Sequence, residues 1–136
     1  MTDDHLWKNG RPNIGGIDWS HCADAERIPG KLSGAWCVKE HRIRCQDILD
    51  NAEAGCSAKE IATEIYELPL AMVCRVLRFA YRAELQCYTD ARRNWPNLPD
   101  HYRPREDELT RKLAEIDRVT SATDPEACFI NQELRK

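Results

Sequence analysis

The sequence predicts a mainly α-helical protein with a three-helix helix-turn-helix core, of the homeodomain-like or winged-helix kind. Two short amphipathic segments precede a longer one between residues 46 and 87. Ser57 and Glu60 have the spacing of a capping box at the start of the second segment. Pro69 suits the first position of the third helix, where no N–H is needed. This order of helices follows the helix-turn-helix plan, although short helices joined by tight turns also occur in helical bundles that bind no nucleic acid.

An extended arm and a β-hairpin are predicted before this core. Residues 1–35 are rich in glycine and proline, which is typical of turns, and one short strand is predicted at Ile14–Trp19. Trp36 to Cys45 are predicted to form two short strands around a turn. We therefore assign residues 1–35 to an N-terminal arm and residues 36–88 to the hairpin plus the helical core.

Start and stop signals bound the three core helices. The first is predicted over about Gln46–Ala54, where Gly55 ends it. The second begins after Ser57, and the third runs from Pro69 to about Cys87.

A second helical region is predicted beyond a linker. Residues 89–103 are proline-rich, and residues 104–136 are assigned to a C-terminal helical extension that Pro104 opens. The extension carries a narrow apolar stripe, and the linker carries two aromatic side chains. We expect these residues to bind a partner protein: Leu109, Leu113, Ile116, Trp95 and Tyr102.

Length and composition favour one soluble intracellular domain. The chain has 136 residues and a formal net charge of −3, which is unusual for a strong non-specific nucleic-acid binder. The longest apolar run, Leu68 to Cys74, is far shorter than the roughly 20 residues of a membrane span. The acidic N-terminus lacks the apolar stretch of a secretory signal. Seven cysteines, an odd number without a CxxC pair, indicate reduced thiols and a cytoplasmic location.

One group of potential metal ligands lies in the N-terminal third of the chain. Its members are His21, Cys22, Cys37, His41 and Cys45. Zinc sites are usually built from closer pairs, such as two cysteines separated by two to four residues. We therefore expect neither a metal nor another cofactor. Because the sequence also lacks a recognisable nucleophile–base pair, P-loop, GxGxxG or HExxH pattern, we expect no enzyme activity.

Arginines on the third helix are the candidate nucleic-acid contacts. At about 100° per residue, Arg75, Arg78 and Arg82 form a stripe opposite the apolar face. Such a stripe is suited to phosphate contacts, but it is equally typical of an ordinary solvated face. The other candidate cations are Lys59 in the second helix and Arg42 in the hairpin, which also suits an internal carboxylate clamp.

Two features count against the reading of DNA sequence. The first turn of the third helix offers Leu70, Ala71 and Met72, which cannot make bidentate contacts to bases. The second helix carries acidic side chains that would repel phosphate, at Glu60, Glu64 and Glu67.

Four stretches carry a resemblance to a known family of small bacterial and archaeal proteins. Asp18 followed by Cys22 is similar to the family's opening strand, and Val38 to Ile43 is similar to its "I-x-G-T-R-I" hairpin. Asp47 to Ile61 and Leu77 to Tyr81 are similar to its later helical patterns. From Ile17 to about Leu85 the chain thus resembles the DUF433 family, whose name denotes a domain of unknown function.

The resemblance implies a fold and a role. Family members have a helix-turn-helix core with a β-hairpin arm and tend to dimerise, and many resemble antitoxins encoded beside PIN-like ribonuclease toxins. This implies that Arg42 takes the place of the family's hairpin arginine and that the Arg75–Arg82 helix takes the recognition position. The chain departs from the pattern where Glu40-His41 replaces Gly-Thr.

Three functions follow as expectations. The first is an antitoxin-like homodimer that binds a PIN-like toxin and operator DNA. The second is a stand-alone DNA-binding transcriptional regulator. The third is an accessory or structural subunit that uses the helix-turn-helix for protein–protein contact, and the acidic second helix favours it.

Overall fold

The computed structural model describes the backbone of residues 7–8, 11–12, 17–94 and 103–123. Within these ranges the protein is mainly helical, which confirms the predicted class, and it has two small antiparallel sheets. The helices are α1 (Cys45–Glu53), α2 (Ala58–Glu60), α3 (Leu70–Asn94) and α4 (Arg103–Thr123). None of the described helices has the length and apolarity that a membrane crossing requires.

Two-residue strands form the sheets. β1 (Trp7–Lys8) pairs with β2 (Arg11–Pro12), and Trp7 lies opposite Pro12. β3 (Ala25–Glu26) pairs with β4 (Cys37–Val38), so that Ala25 lies opposite Val38.

The predicted hairpin forms only a rudimentary return strand. The Val38 N–H donates to the Ile43 carbonyl at 2.8 Å, and a single bridge joins Cys37 to Arg44. The longer pairing of β4 is instead with β3, in the segment predicted to be an arm.

The described part of the predicted arm packs into the core. Ile17, Trp19, Cys22 and Ala25 are buried, and the Trp19 ring lies 5.7 Å from that of Phe79 on α3. The strand predicted at Ile14–Trp19 is absent from its described residues. Positions 17 and 18 are irregular, and Trp19–His21 is a 3-10 turn in which the Asp18 carboxylate accepts from the Ser20 N–H. The contact between Trp19 and the Phe79 ring of α3 therefore holds this segment against the core.

The first two helices follow their sequence signals. The Ser57 hydroxyl accepts from the Glu60 N–H, and the Glu60 carboxylate accepts from the Ser57 N–H, both at 3.1 Å. This is the predicted capping box. After Glu60 the helix widens into a π-helical turn over Ile61–Ile65, closed by the Tyr66 N–H donating to the Ile61 carbonyl at 3.0 Å.

The third helix is longer than predicted. It continues past Cys87 to Asn94, because its apolar face continues through buried Cys87, Tyr88 and Ala91. Residues 89–94 of the predicted linker are therefore helical, and α4 begins at Arg103. The part of the predicted C-terminal extension beyond Thr123 lies outside the described residues.

α3 and α4 pack antiparallel along one side of the core. Arg92 near the end of α3 pairs with Glu106 near the start of α4, while Arg78 pairs with Asp117, six residues before the end of α4. The central side chains of the core come from β4, α1, the π-helical turn, α3 and α4. They include Val38, Cys45, Ile48, Leu49, Ile61, Val73, Val76 and Leu109.

A partly buried ionic cluster joins α1, α3 and α4. The Arg105 guanidinium donates to Glu84 at 2.7 and 2.8 Å and to Glu53 at 2.6 Å. Glu84 is only 5% exposed and lies on the apolar face of α3. Arg105 also lies 3.2 Å from Glu108. This cluster supplies the countercharge that a carboxylate in the core requires.

Replacing Arg105 leaves the Glu84 carboxylate buried without its partner. We expect Arg105→Ala to lower the free energy of unfolding by about 3–5 kcal/mol, the usual cost of breaking a buried ion pair on one side. Urea denaturation followed by circular dichroism measures this loss. The matched control is Arg118→Ala, which removes an arginine that is 75% exposed and pairs with Glu115, and it should leave stability nearly unchanged. Equal losses in the two variants would contradict the assignment.

The hairpin turn contains one residue with a left-handed backbone. Glu40 has φ of 67°, at the position where the resembled family has glycine. Its N–H donates to the Glu26 carboxylate at 3.0 Å, and that carboxylate also accepts from the Lys31 ammonium at 2.9 Å. The Lys31 contact, and then the Glu40 N–H, hold the pKa of Glu26 below its ordinary value.

Glycine at position 40 should relieve this backbone cost. A side chain in the left-handed region costs about 1–2 kcal/mol, and glycine loses about 0.5–1 kcal/mol in additional chain entropy. We expect Glu40→Gly to raise the unfolding free energy by up to about 1 kcal/mol in urea denaturation. Glu40→Ala removes the same carboxylate but keeps Cβ, so it should give no gain. A gain of equal size in both variants would locate the effect in the carboxylate.

Candidate functional site

Three arginines on successive turns of α3 line one cavity, which we call the arginine cavity. It has a volume of about 440 Å³, and Arg75, Arg78 and Arg82 form its α3 side together with Phe79. The opposite wall is the segment just before β3, including Asp24. The structure thus brings together the three residues that the helical wheel placed on one face.

Arg75 is held by a carboxylate of its own chain. Its Nε and Nη2 donate to the two Asp24 oxygens at 2.8 and 2.9 Å. The Asp24 carbonyl accepts from the Lys39 N–H at 2.9 Å, so the β3–β4 region holds this carboxylate in place. Arg75 is nevertheless 45% exposed. A bidentate pair of this kind is strong and geometrically specific.

Arg78 is less completely paired. Its Nη2 lies 2.8 Å from an Asp117 oxygen and 3.5 Å from the Thr120 hydroxyl of α4. Its Nε–H is buried, and no acceptor for it lies among the described residues. An unpaired buried donor costs about 1–3 kcal/mol.

Arg82 completes the stripe as an exposed side chain. Within the described ranges, no carboxylate forms an ion pair with it. Two of the three arginines of the stripe are thus paired with carboxylates of the chain, Asp24 and Asp117.

The other two candidate cations lie elsewhere. Lys59 is exposed on α2 and lines a separate groove, and Arg42 is exposed in the hairpin turn. The five candidate nucleic-acid contacts therefore do not form one continuous surface.

The second depression, which we call the α3–α4 groove, has a volume of about 680 Å³. Its walls are the α1–α2 turn, α3 and α4. Its apolar lining includes Ala52, Cys56, Ala58, Leu70, Leu77, Tyr81, Ile116 and Val119. Pockets of this size and composition are typical binding sites in proteins.

Charged groups lie along the rim of the groove. The Lys112 ammonium lies 5.2 Å from the centre of the Tyr81 ring, and it lies 3.3 Å from Glu108 and 3.5 Å from Glu53. Burial raises the pKa of Tyr81 above its ordinary value. The groove thus combines an apolar floor with a polar edge.

The predicted partner-binding residues are used largely inside the chain. Leu109 and Ile116 are buried, and Leu113 packs against the same core. Their stripe is therefore not available for a partner in this conformation, apart from the part of Ile116 that reaches the groove. Trp95 and Tyr102 lie outside the described residues.

The cysteines of the described residues are mostly buried thiols. No group of three or more ligand side chains suited to a metal occurs in the described part of the chain. Burial raises the pKa of Cys45 to about 12, and it also raises the pKa of Cys22 and Cys74. These thiols stay protonated near pH 7, which makes them poor ligands and nucleophiles.

Sequence reasoning missed the acidic partners of the arginines. Asp24 lies 51 positions before Arg75, so no local spacing connects them. The sequence analysis also predicts no role in a site for Asp117 or for the groove residue Tyr81. A different ion pair does have a signal in the sequence. Glu84 lies on an apolar helix face, so its carboxylate requires a cation from another part of the chain.

Comparison with known proteins gives one finding. No curated protein and no solved structure matches the chain. A family model described as "Protein of unknown function (DUF433)" matches residues 26–80, from β3 to the middle of α3. The resemblance drawn from the sequence is thereby confirmed over residues 26–80.

Proposed function

We propose that this chain is an antitoxin-like helix-turn-helix protein that forms a homodimer and sequesters a partner protein. The observation that carries the proposal is the α3–α4 groove, an open apolar depression with a charged rim. By the family resemblance, the partner is a PIN-like nuclease toxin.

The burial of the α4 stripe determines where a partner would dock. Because Leu109 and Ile116 pack against α3, α4 does not offer them to a wrapping partner. The apolar surface that remains in this region is the groove floor, which includes Leu70 and Tyr81. A partner helix that inserts apolar side chains there uses the common helix-in-groove mode of recognition.

The groove also joins the family domain to the C-terminal extension. Its α1–α2 turn lies within residues 26–80, whereas its α4 wall lies beyond them. In our proposal the helix-turn-helix unit of α1 to α3 is the shared scaffold. The extension then supplies the surface that selects the partner.

Binding in the groove is tested by a bulky charge placed on its wall. We expect a PIN-like nuclease to be encoded beside this gene. Co-expressed with that nuclease, the chain should co-purify as a complex of dimeric stoichiometry by native mass spectrometry. Ala58→Arg, in the groove lining, should weaken this complex at least tenfold, because an arginine cannot enter an apolar interface without losing hydration.

The matched control is Ala54→Arg, at an exposed position that does not line the groove. It should bind the nuclease as the unaltered chain does. Cys56 gives an independent readout, because it lines the groove and is partly exposed. Peptide-mapped alkylation of Cys56 should slow in the complex. Equal binding by both variants, or unchanged alkylation of Cys56, would refute the groove, and failure to form any complex would refute the antitoxin role.

A second function, binding of operator DNA, has a specific observation in its favour. Arg82 is exposed and unpaired within the described residues, and it lines the same cavity as Arg75 and Arg78. The carboxylates Asp24 and Asp117 reduce the positive charge that this face offers to phosphate. These pairs rank DNA binding below protein binding, and they also favour an accessory, protein-binding role over a stand-alone regulator.

DNA binding is tested by its salt dependence. We expect weak binding of duplex DNA at low salt, with a shallow slope of log affinity against log salt, since each phosphate contact adds about 0.9 to that slope. Arg82→Gln should lower the slope by about one contact in fluorescence anisotropy. An affinity that does not change with salt would contradict this second function.

A further inference from the structure

The positive charge that lines the arginine cavity is only partly neutralised by carboxylates. Three guanidinium groups and one carboxylate, Asp24, line it. Asp117 approaches Arg78 from α4 without being part of the lining. The lining therefore carries an excess of positive charge within a concave space of about 440 Å³. A concave site of one sign attracts small ions of the opposite sign.

The three arginines differ in how well their donors are satisfied. Arg82 has no ion-pair partner in the part of the chain that is described. Arg78 has an aspartate on Nη2 but a buried Nε–H without an acceptor. Arg75 has a bidentate aspartate. A ligand that enters the cavity thus meets one free guanidinium, one partly satisfied and one fully engaged.

The ligand chemistry follows from these donors. A guanidinium presents parallel N–H groups that match the oxygens of carboxylates and phosphates. A carboxylate has two oxygens and one charge, as Asp24 already provides to Arg75. A phosphate group offers more acceptor oxygens, so it can engage donors from two or three arginines together.

We propose that the arginine cavity binds a phosphate group, and that Asp24 is a built-in competitor that holds Arg75 away from it. Arg82 makes the first contact with the phosphate. Arg75 joins when its guanidinium exchanges the Asp24 carboxylate for a phosphate oxygen. Arg75 is 45% exposed even when paired, so it can make this exchange at the cavity surface while its backbone stays fixed in α3.

A phosphate site goes beyond the binding of a partner protein. Binding of a nucleic-acid phosphate in this cavity rests on the second proposed function, the binding of DNA. Two sources can supply the phosphate, a nucleic-acid backbone or a free phosphate ion. Two probes separate them on the full chain. The first is a fluorescein-labelled duplex at low salt, followed by anisotropy. The second is inorganic pyrophosphate, followed through the arginine Nε–H signals by nuclear magnetic resonance.

Removing the competitor should strengthen binding of the phosphate probe. We expect Asp24→Asn to raise the affinity about fivefold, which is the size of an exposed ion pair of about 1 kcal/mol. It should also add about 0.9 to the salt slope with the duplex, because Arg75 becomes a further phosphate contact.

A matched control separates this effect from a change in net charge. Asp47→Asn removes the same charge from another arginine–aspartate pair, with Arg44 at 3.0 Å, which does not line the cavity. It should change the affinity less than twofold. Arg82→Gln alters an exposed side chain, so it should not affect folding, and it should abolish the gain from Asp24→Asn in the double variant.

The possible outcomes test the phosphate site and the binding of DNA separately. Pyrophosphate binding that is strengthened by Asp24→Asn, without duplex binding, supports the site and refutes DNA binding. Duplex binding that responds equally to Asp24→Asn and Asp47→Asn supports DNA binding and refutes Asp24 as competitor. Absence of binding to both probes, in the unaltered chain and in Asp24→Asn, overturns both.

Discussion

The buried pair between Arg105 and Glu84 is the constraint on which the arrangement of the helices depends. A carboxylate on the apolar face of α3 cannot stay ionised inside the core without a cation beside it. Arg105 supplies that cation from the first turn of α4 and reaches Glu53 at the end of α1. One guanidinium therefore sets the position of α4 relative to two other helices. Apolar packing by Leu109 and Ile116 along the rest of α4 then completes the contact.

The α3–α4 groove follows from that placement of α4, whereas the arginine cavity lies between α3 and the segment before β3. Leu77 and Tyr81 of α3 form the floor of the groove, while Arg75 and Arg82 face the arginine cavity on another side of the same helix. Arg78 lies between these two faces and touches α4 through Asp117. α3 is therefore shared by the two proposed binding surfaces. Its length lets it do so, because 25 residues present many turns to different neighbours.

Local signals predicted much of the helical architecture. The capping box at Ser57 and the proline before Leu70 placed two helix starts correctly, since both depend on residues next to each other in the chain. The end of α3 was placed too early, although its apolar period continues to Ala91. Contacts between residues far apart in the chain have no comparable local signal. Nothing near Arg75 indicates Asp24, and the burial of Trp19 depends on a ring that lies far along the chain.

The sequence predicts which arginines line the candidate site, but it does not predict which of them are paired with carboxylates. Helical spacing was sufficient to gather Arg75, Arg78 and Arg82 on one side of α3. Whether each guanidinium is free depends on carboxylates brought in by the fold, and spacing along one helix carries no information on them. The same reasoning applies to the α4 stripe, whose apolar residues were recognised but whose partner proved to be α3.

The turn at Glu40 illustrates how a glycine position can be lost. The hydrogen bond from its N–H to Glu26 is made by the backbone, so it forms with any residue other than proline at position 40. Glu26 thus enforces the unusual backbone from the neighbouring strand, and the turn residue need not favour it. We therefore expect substitutions at positions 26 and 40 to depend on each other. Among relatives of this chain, a non-glycine residue in the turn should occur together with a hydrogen-bond acceptor on the adjacent strand.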